Sequence, residues 1–292
     1  MTNIPARGCL VPMFLVALLS GCGSDGGGGE GAFAVAVSLT GTVRYEDRLY
    51  DRSGFLAATQ FKPVRRTLVQ LVSSRGDVIA SAETDEEGAF SLAGSGVQPR
   101  LRVLAKTGPG ASQALEVRSP ANGALLAVVT GALEEGVQSA DINVPAALVG
   151  GAFNILDVTS NAAEFLASLS GTAPGPLMLF WEPGSTDGTY FCGACGPFSG
   201  IHLRSLTSNG LFDLDEYDDD VVLHEYGHFV EAAFGTIDSL GGPHFLTDLS
   251  QDLRLAWSEG WSSFFAGAAK QWLADNAPQR LSTTLPSSFY VD

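Results

Sequence analysis

This chain is poor in histidine, cysteine and positive charge, and no apolar run is long enough to span a bilayer as a mature helix. Of 292 residues, four are His, four are Cys and 16 are Lys or Arg, against 32 Asp plus Glu, for a formal net charge of −16. So few cations argue against nucleic acid as a partner and against adhesion to anionic lipid through a basic patch. The cysteines are equally restrictive. Only Cys192 and Cys195 lie close together, in Cys192-Gly193-Ala194-Cys195-Gly196. A structural zinc site would want a second pair, and Gly196 and Pro197 argue against the helix that a thioredoxin-like motif places after its first cysteine. The remaining reading is a local disulfide stiffening a loop in an oxidising compartment.

What is present begins at the N-terminus. Arg7 precedes an apolar run over residues 10–19, with Pro12 near its start, in the shape of a secretory signal. The run closes in Leu19-Ser20-Gly21-Cys22, which resembles a bacterial lipoprotein processing site. The resemblance implies that residues 1–21 are removed and that Cys22 is acylated, so that the mature chain is anchored to a membrane without crossing it. Residues 22–32 are glycine-rich and read as a flexible tether. Gly23, not Asp, follows Cys22, and the resemblance then favours the outer membrane, on its periplasmic face or at the cell surface.

Two of the four histidines share one pentapeptide, His224-Glu225-Tyr226-Gly227-His228. This is an HExxH sequence in an apolar, helix-periodic setting. Val221, Val222 and Leu223 lead in, Phe229, Val230 and Phe234 follow, and Gly235 supplies a stop. Asp218, Asp219 and Asp220 fall at the helix start, where negative charge suits the helix dipole. Histidines at i and i+4 lie on one helix face, within reach of one zinc ion, and Glu225 beside them can take a proton from water at that ion. A catalytic zinc needs a third protein ligand. Downstream stand His244, Asp248, Asp252 and Glu259. Glu259 is favoured, because it is the lone glutamate in the apolar segment 248–274, beside small residues that allow two helices to approach. The acidic run Asp213, Asp215, Glu216 and Asp218–Asp220 is a solvated helix start, or else a calcium site without EF-hand spacing.

His224-Glu225-Tyr226-Gly227-His228 followed by Ser258-Glu259-Gly260-Trp261-Ser262-Ser263-Phe264-Phe265 resembles the gluzincin metallopeptidases, the fungalysin type above all. The resemblance implies His224, His228 and Glu259 as zinc ligands and Glu225 as general base and proton shuttle. Two departures accompany it. The family has an Asp four residues after the ligand Glu, where it orients a ligating His; here Ser263 stands there, so the metal is held less tightly or another acid takes the role. Few residues follow Glu259, and Tyr290 is the only candidate among them for the oxyanion donor that gluzincins use; His244, between His228 and Glu259, is the other, and the chain reads as a short member or an incomplete one.

Residues 33–147 read as strands. Thr67–Val72 alternates as a half-buried strand should, with further runs near 33–45, 77–82, 89–92, 99–105, 125–130 and 140–144. The Gly41-Thr42-Val43 opening and the turn Thr84-Asp85-Glu86-Glu87-Gly88-Ala89-Phe90 resemble the carboxypeptidase regulatory-like, transthyretin-like module, which implies an accessory sandwich without catalysis. Beyond residue 148 come a helix or helix pair over 154–169, a strand over 176–181, and a run over 200–206 that could be the edge strand above the zinc. The expected architecture is multidomain, with an all-β sandwich followed by an α+β, mainly helical zincin-like domain over 148–292. The expected function is a membrane-anchored zinc endopeptidase acting on protein or peptide. Its rivals are a zinc-binding lipoprotein without catalysis and a zinc amidase acting on cell-wall cross-links.

Overall fold

The computed structural model describes residues 15–16, 33–172, 174–206, 214–242, 244 and 250–283. Of the residues singled out above, Cys22, Asp213, Asp248 and Tyr290 lie outside these, as does the tether, with all of the signal segment but two residues.

Period-two alternation builds the strands. In Thr67–Val72 (β4), Thr67, Val69 and Leu71 are buried while Leu68 and Gln70 are half-buried. The other strands are Leu15–Val16 (β1), Ala34–Asp51 (β2), Gly54–Pro63 (β3), Val78–Glu83 (β5), Ala89–Val97 (β6), Arg100–Thr107 (β7), Leu115–Arg118 (β8), Ala127–Val129 (β9), Ile142–Val144 (β10), Leu177–Phe180 (β11), Tyr190–Cys192 (β12) and Gly200–His202 (β13). Three α-helices accompany them among the described residues, Gly151–Ser170 (α1), Asp219–Phe234 (α2) and Leu253–Asn276 (α3). Helix α1 stops at Gly171, whose φ of 77° closes it in the left-handed conformation that glycine adopts without a Cβ penalty.

Strand β2 is the joint of the smaller sheet. Its first half pairs antiparallel with β6, from Ala34↔Val97 to Thr42↔Ala89, and its second half pairs antiparallel with β3. It also takes β10 as a parallel partner, at Val43↔Ile142. Gly41 lies where β2 passes the segment before β10, and a Cβ there would run into the Ala140 carbonyl. The larger sheet has nine strands. Its path is β1-β9-β7-β8-β11-β13-β12, with β4 against β7 and β5 against β4. Strands β8, β11 and β13 run parallel, and β12 closes the far edge antiparallel to β13.

This corrects the expected fold class. Among the described residues strand outweighs helix, the α-helices number three, and both sheets are mixed. The helices do not make a separate, mainly helical domain, because the apolar runs between them satisfy their backbone groups as β11, β12 and β13, which extend a sheet whose other strands come from the first half of the chain. Buried side chains form one contiguous core from Val37 and Tyr45, through Val117 and Leu179, to Val222 and Phe265. Buried polar ties cross it. Arg65 binds Asp157 at 2.6 Å and Asn161 at 2.6 Å on α1, and Tyr45 donates to the same Asp157 at 3.1 Å.

Candidate metal centre

Helix α2 starts where its sequence suggests. The Asp218 carboxylate caps it, accepting from the Asp220 N–H at 2.9 Å and the Val221 N–H at 3.4 Å. All three aspartates of the run are buried, and two buried lysines answer them. Lys270 of α3 lies 2.8 and 2.7 Å from the two Asp220 oxygens. Lys62 of β3 lies 2.8 Å from Asp47 and 2.8 Å from Ser282, whose own N–H donates to Asp219. The start of α2 is therefore fixed by groups from the smaller sheet, from α3 and from the segment after α3. Further along, the buried Tyr226 hydroxyl donates to Gln113 at 2.6 Å, and Phe229 meets Phe191 of β12 edge-on at 6.0 Å between ring centres.

The crossing of α2 and α3 sets the site. At Gly227 a Cβ would stand 2.7 Å from the Ser262 Cα, closer than such atoms approach, so glycine lets the two backbones touch. Trp261 fastens the crossing by donating its indole N–H to the Gly227 carbonyl at 3.1 Å. The ligand candidates lie close to this contact, His224 three residues before Gly227, His228 directly after it, and Glu259 three residues before Ser262. His224 Nε2 is 3.0 Å from Glu259 Oε2, and His228 Nε2 is 3.4 Å from Glu259 Oε1. One ligand atom from each of His224, His228 and Glu259 lies within 4.8 Å of the other two, and the described residues contain no second such cluster. The three side chains are 23, 16 and 25 % exposed, so the point they share is reachable from solvent. The triad can hold a metal ion. Two imidazole nitrogens and one carboxylate oxygen suit a borderline divalent transition ion and leave a coordination position open.

Glu225 sits beside the triad, buried, with Oε2 lacking any hydrogen-bond partner. Burial pushes its carboxyl above the ordinary range against the pull of His228 and His224, while the main-chain N–H of Phe191 favours the ionised form. An orphaned carboxylate oxygen at such a place fits a role toward a bound group. Burial also works against the charged form of Glu259, but hydrogen bonds from His224 and His228 outweigh it and hold this carboxyl well below the usual range. For His228, burial works downward, yet Glu259 and Glu225 more than compensate, and its net shift is upward.

The remaining candidates fall as follows. His244 reaches Glu259 Oε1 at 3.3 Å through Nε2, with Nδ1 2.9 Å from the Gly242 carbonyl. Asp252 is exposed at the start of α3 and accepts from the Arg254 N–H as a helix cap. His202 is buried between Phe180 and Tyr190, with ring centres at 4.7 and 4.5 Å, and contacts the Phe198 carbonyl; its environment is structural. Its strand β13 is internal, so the edge strand beside α2 is β12, with Phe191 opposite Ile201. Cys192, the last residue of β12, is disulfide-bonded to Cys195. Among the described residues, the acidic run brings no three ligand atoms to one point, since its members are engaged with the protein.

Sequence reasoning missed the roles of Ser258 and Glu231 beside the triad. Ser258 Oγ is 3.2 Å from His228 Nδ1 and donates to Glu231 Oε2 at 2.5 Å. Ser263, the residue in place of the family's aspartate, reaches His224 Nδ1 at 3.3 Å. The available signal was positional, as Ser258 directly precedes Glu259 and Glu231 lies one turn beyond His228. Compared with protein-family models, curated proteins and solved structures, the chain matches none.

Proposed function

We propose that this chain is an exported zinc metallopeptidase of gluzincin type, anchored through lipid on Cys22, that hydrolyses peptide bonds with Glu225 as general base. The observation that carries this reading is the convergence of His224, His228 and Glu259 from two crossing helices, with the buried Glu225 carboxylate alongside, its Oε2 without a hydrogen-bond partner. His224, His228 and Glu259 would hold the ion. When bound, zinc supplies Lewis acidity toward a carbonyl oxygen and toward water in its open position. Glu225 takes the proton of the attacking water on its carboxylate and delivers it to the leaving amine. Its burial serves this cycle, because a carboxyl pushed upward by desolvation takes up a proton more readily than an exposed one. Strand β12 stands at the edge of the larger sheet beside α2, where a sheet edge can take an extended peptide through main-chain hydrogen bonds.

The test is metal analysis of the purified full chain together with cleavage of denatured casein. One zinc per chain and cleavage are expected. Glu225→Gln is expected to keep the zinc and lower hydrolysis by about 10²–10⁴-fold; hydrolysis at the parental rate in this variant overturns the assignment. Ser263 supports one rival, a zinc-binding lipoprotein without catalysis, because it brings no charge to His224. Stoichiometric zinc with no cleavage of casein or of a peptide library would decide for that rival.

A further inference from the structure

We infer that Glu231, acting through Ser258, is a positioning residue for His228, so that the orienting carboxylate of this metal centre stands behind the second histidine instead of the first. The inference rests on the zinc reading above and concerns how the site is held. The Ser258 hydroxyl is buried at the α2–α3 contact, 2.5 Å from Glu231 Oε2 and 3.2 Å from His228 Nδ1. A serine hydroxyl has one proton to donate and two lone pairs to offer. A distance of 2.5 Å to a carboxylate is that of a charge-assisted bond, which claims the proton. Only lone pairs then face His228, so Nδ1 must carry its own hydrogen and donate it. When the ring is neutral, that leaves the Nε2 lone pair free for a metal ion on the side of Glu259, which is the tautomer a metal ligand needs.

The first histidine lacks this arrangement. Ser263 Oγ is 3.3 Å from His224 Nδ1, and among the described residues no carboxylate hydrogen-bonds Ser263. Its hydroxyl proton can therefore turn toward or away from the ring. Placement explains why the acid could move. Glu231 is three residues after His228 on α2, and Ser258 directly precedes Glu259 on α3, so His228, Ser258 and Glu231 lace the helices together at the level of the ligands.

The experiment uses the full chain and the metal alone. Zinc affinity is measured by competition with a chromophoric chelator for the parent, Glu231→Gln, Ser258→Ala, the double variant and Ser263→Ala. Visible spectra are recorded on the cobalt(II)-substituted forms. Glu231→Gln and Ser258→Ala are each expected to weaken zinc by about 10-fold or more. The double variant should be no weaker than Ser258→Ala alone, because the two residues act in series, and Ser263→Ala should cost less than either. Glu231→Gln should also shift the cobalt bands, which a glutamate serving only to fasten the helices would leave in place. Parental zinc affinity and an unchanged cobalt spectrum in Glu231→Gln overturn the inference while leaving the metal site standing. So do independent, multiplying losses in the double variant. A parent that binds no zinc overturns both this and the function proposed above. Because Glu231→Gln keeps the size of a half-buried side chain, it serves as the deciding variant if Ser258→Ala fails to fold.

Discussion

Two glycines on facing helices carry opposite consequences. Gly227 is pressed against the Ser262 backbone, whereas a Cβ at Gly260 of α3 would meet nothing within 4 Å. Gly227→Ala must push the helices apart, at an expected cost of about 1–3 kcal/mol, and should weaken metal binding because Glu259 travels with α3. Gly260→Ala should instead stabilise by about 0.5–1 kcal/mol, since alanine orders a helix interior more cheaply than glycine. Thermal melting of the two variants checks the pair. At this scale the sequence is most readable where chemistry fixes a spacing. His224, Glu225 and His228 are legible because a 3.6-residue period puts both imidazoles on one face, and Glu259 because a lone glutamate in an apolar helix needs a partner. Ser258 and Glu231 are not legible this way. A serine and a surface glutamate acquire their meaning only from where α2 crosses α3, which no local pattern encodes.

At the level of elements, the start of α2 is where sequence and environment diverge. An acidic triplet at a helix start reads as solvated, yet Asp218, Asp219 and Asp220 are buried. What makes this tolerable lies far away in sequence, in Lys270, Lys62 and the N–H of Ser282. Lys270→Met, which removes the cation beside both Asp220 oxygens, is expected to cost about 3–5 kcal/mol. Adding Asp220→Asn should return part of that loss, and urea unfolding of the single and double variants measures it. Strands with clean alternation, such as β4, are evident from the chain alone. Strand β3 is not, because most of its residues are exposed and no burial period marks it. Strand β8 is four residues long and makes sense only as the piece that joins β7 to β11. The sheet it completes is what a helix-dominated reading of the second half leaves out.

For the molecule as a whole, one consequence concerns separability. Strand β11 takes its parallel partner β8 from residues before 148, and Asp157 of α1 takes its cation, Arg65, from the first half. A chain restricted to residues 148–292 is therefore expected to stay unfolded, with circular dichroism and amide-proton dispersion as the measurements; a cooperative melt of that fragment would contradict the single core described here. Acidity supplies a second prediction. Burial pushes Glu216 up to about 7, and burial together with Asp220 and Asp219 pushes Asp218 up to about 7. The native state then holds protons that the unfolded chain gives up, so stability is greatest near pH 4 to 5, falls as pH rises toward 7, and levels off above. Glu216→Gln, which is neutral at every pH, should remove about 1–3 kcal/mol of the fall between pH 5 and pH 8 in urea unfolding.

The contact between Gly227 and Ser262 also behaves as a fulcrum. Glu259, the one donor on α3, springs from within about 5 Å of it along the helix axis, whereas the end of α3 at Asn276 lies about 20 Å away, at 1.5 Å per residue. A swing of about 10° about that pivot carries the far tip through about 3–4 Å and the backbone at Glu259 through less than about 1 Å. The ends of the helix can follow the motions of their surroundings while the spacing of the three donors is almost unchanged.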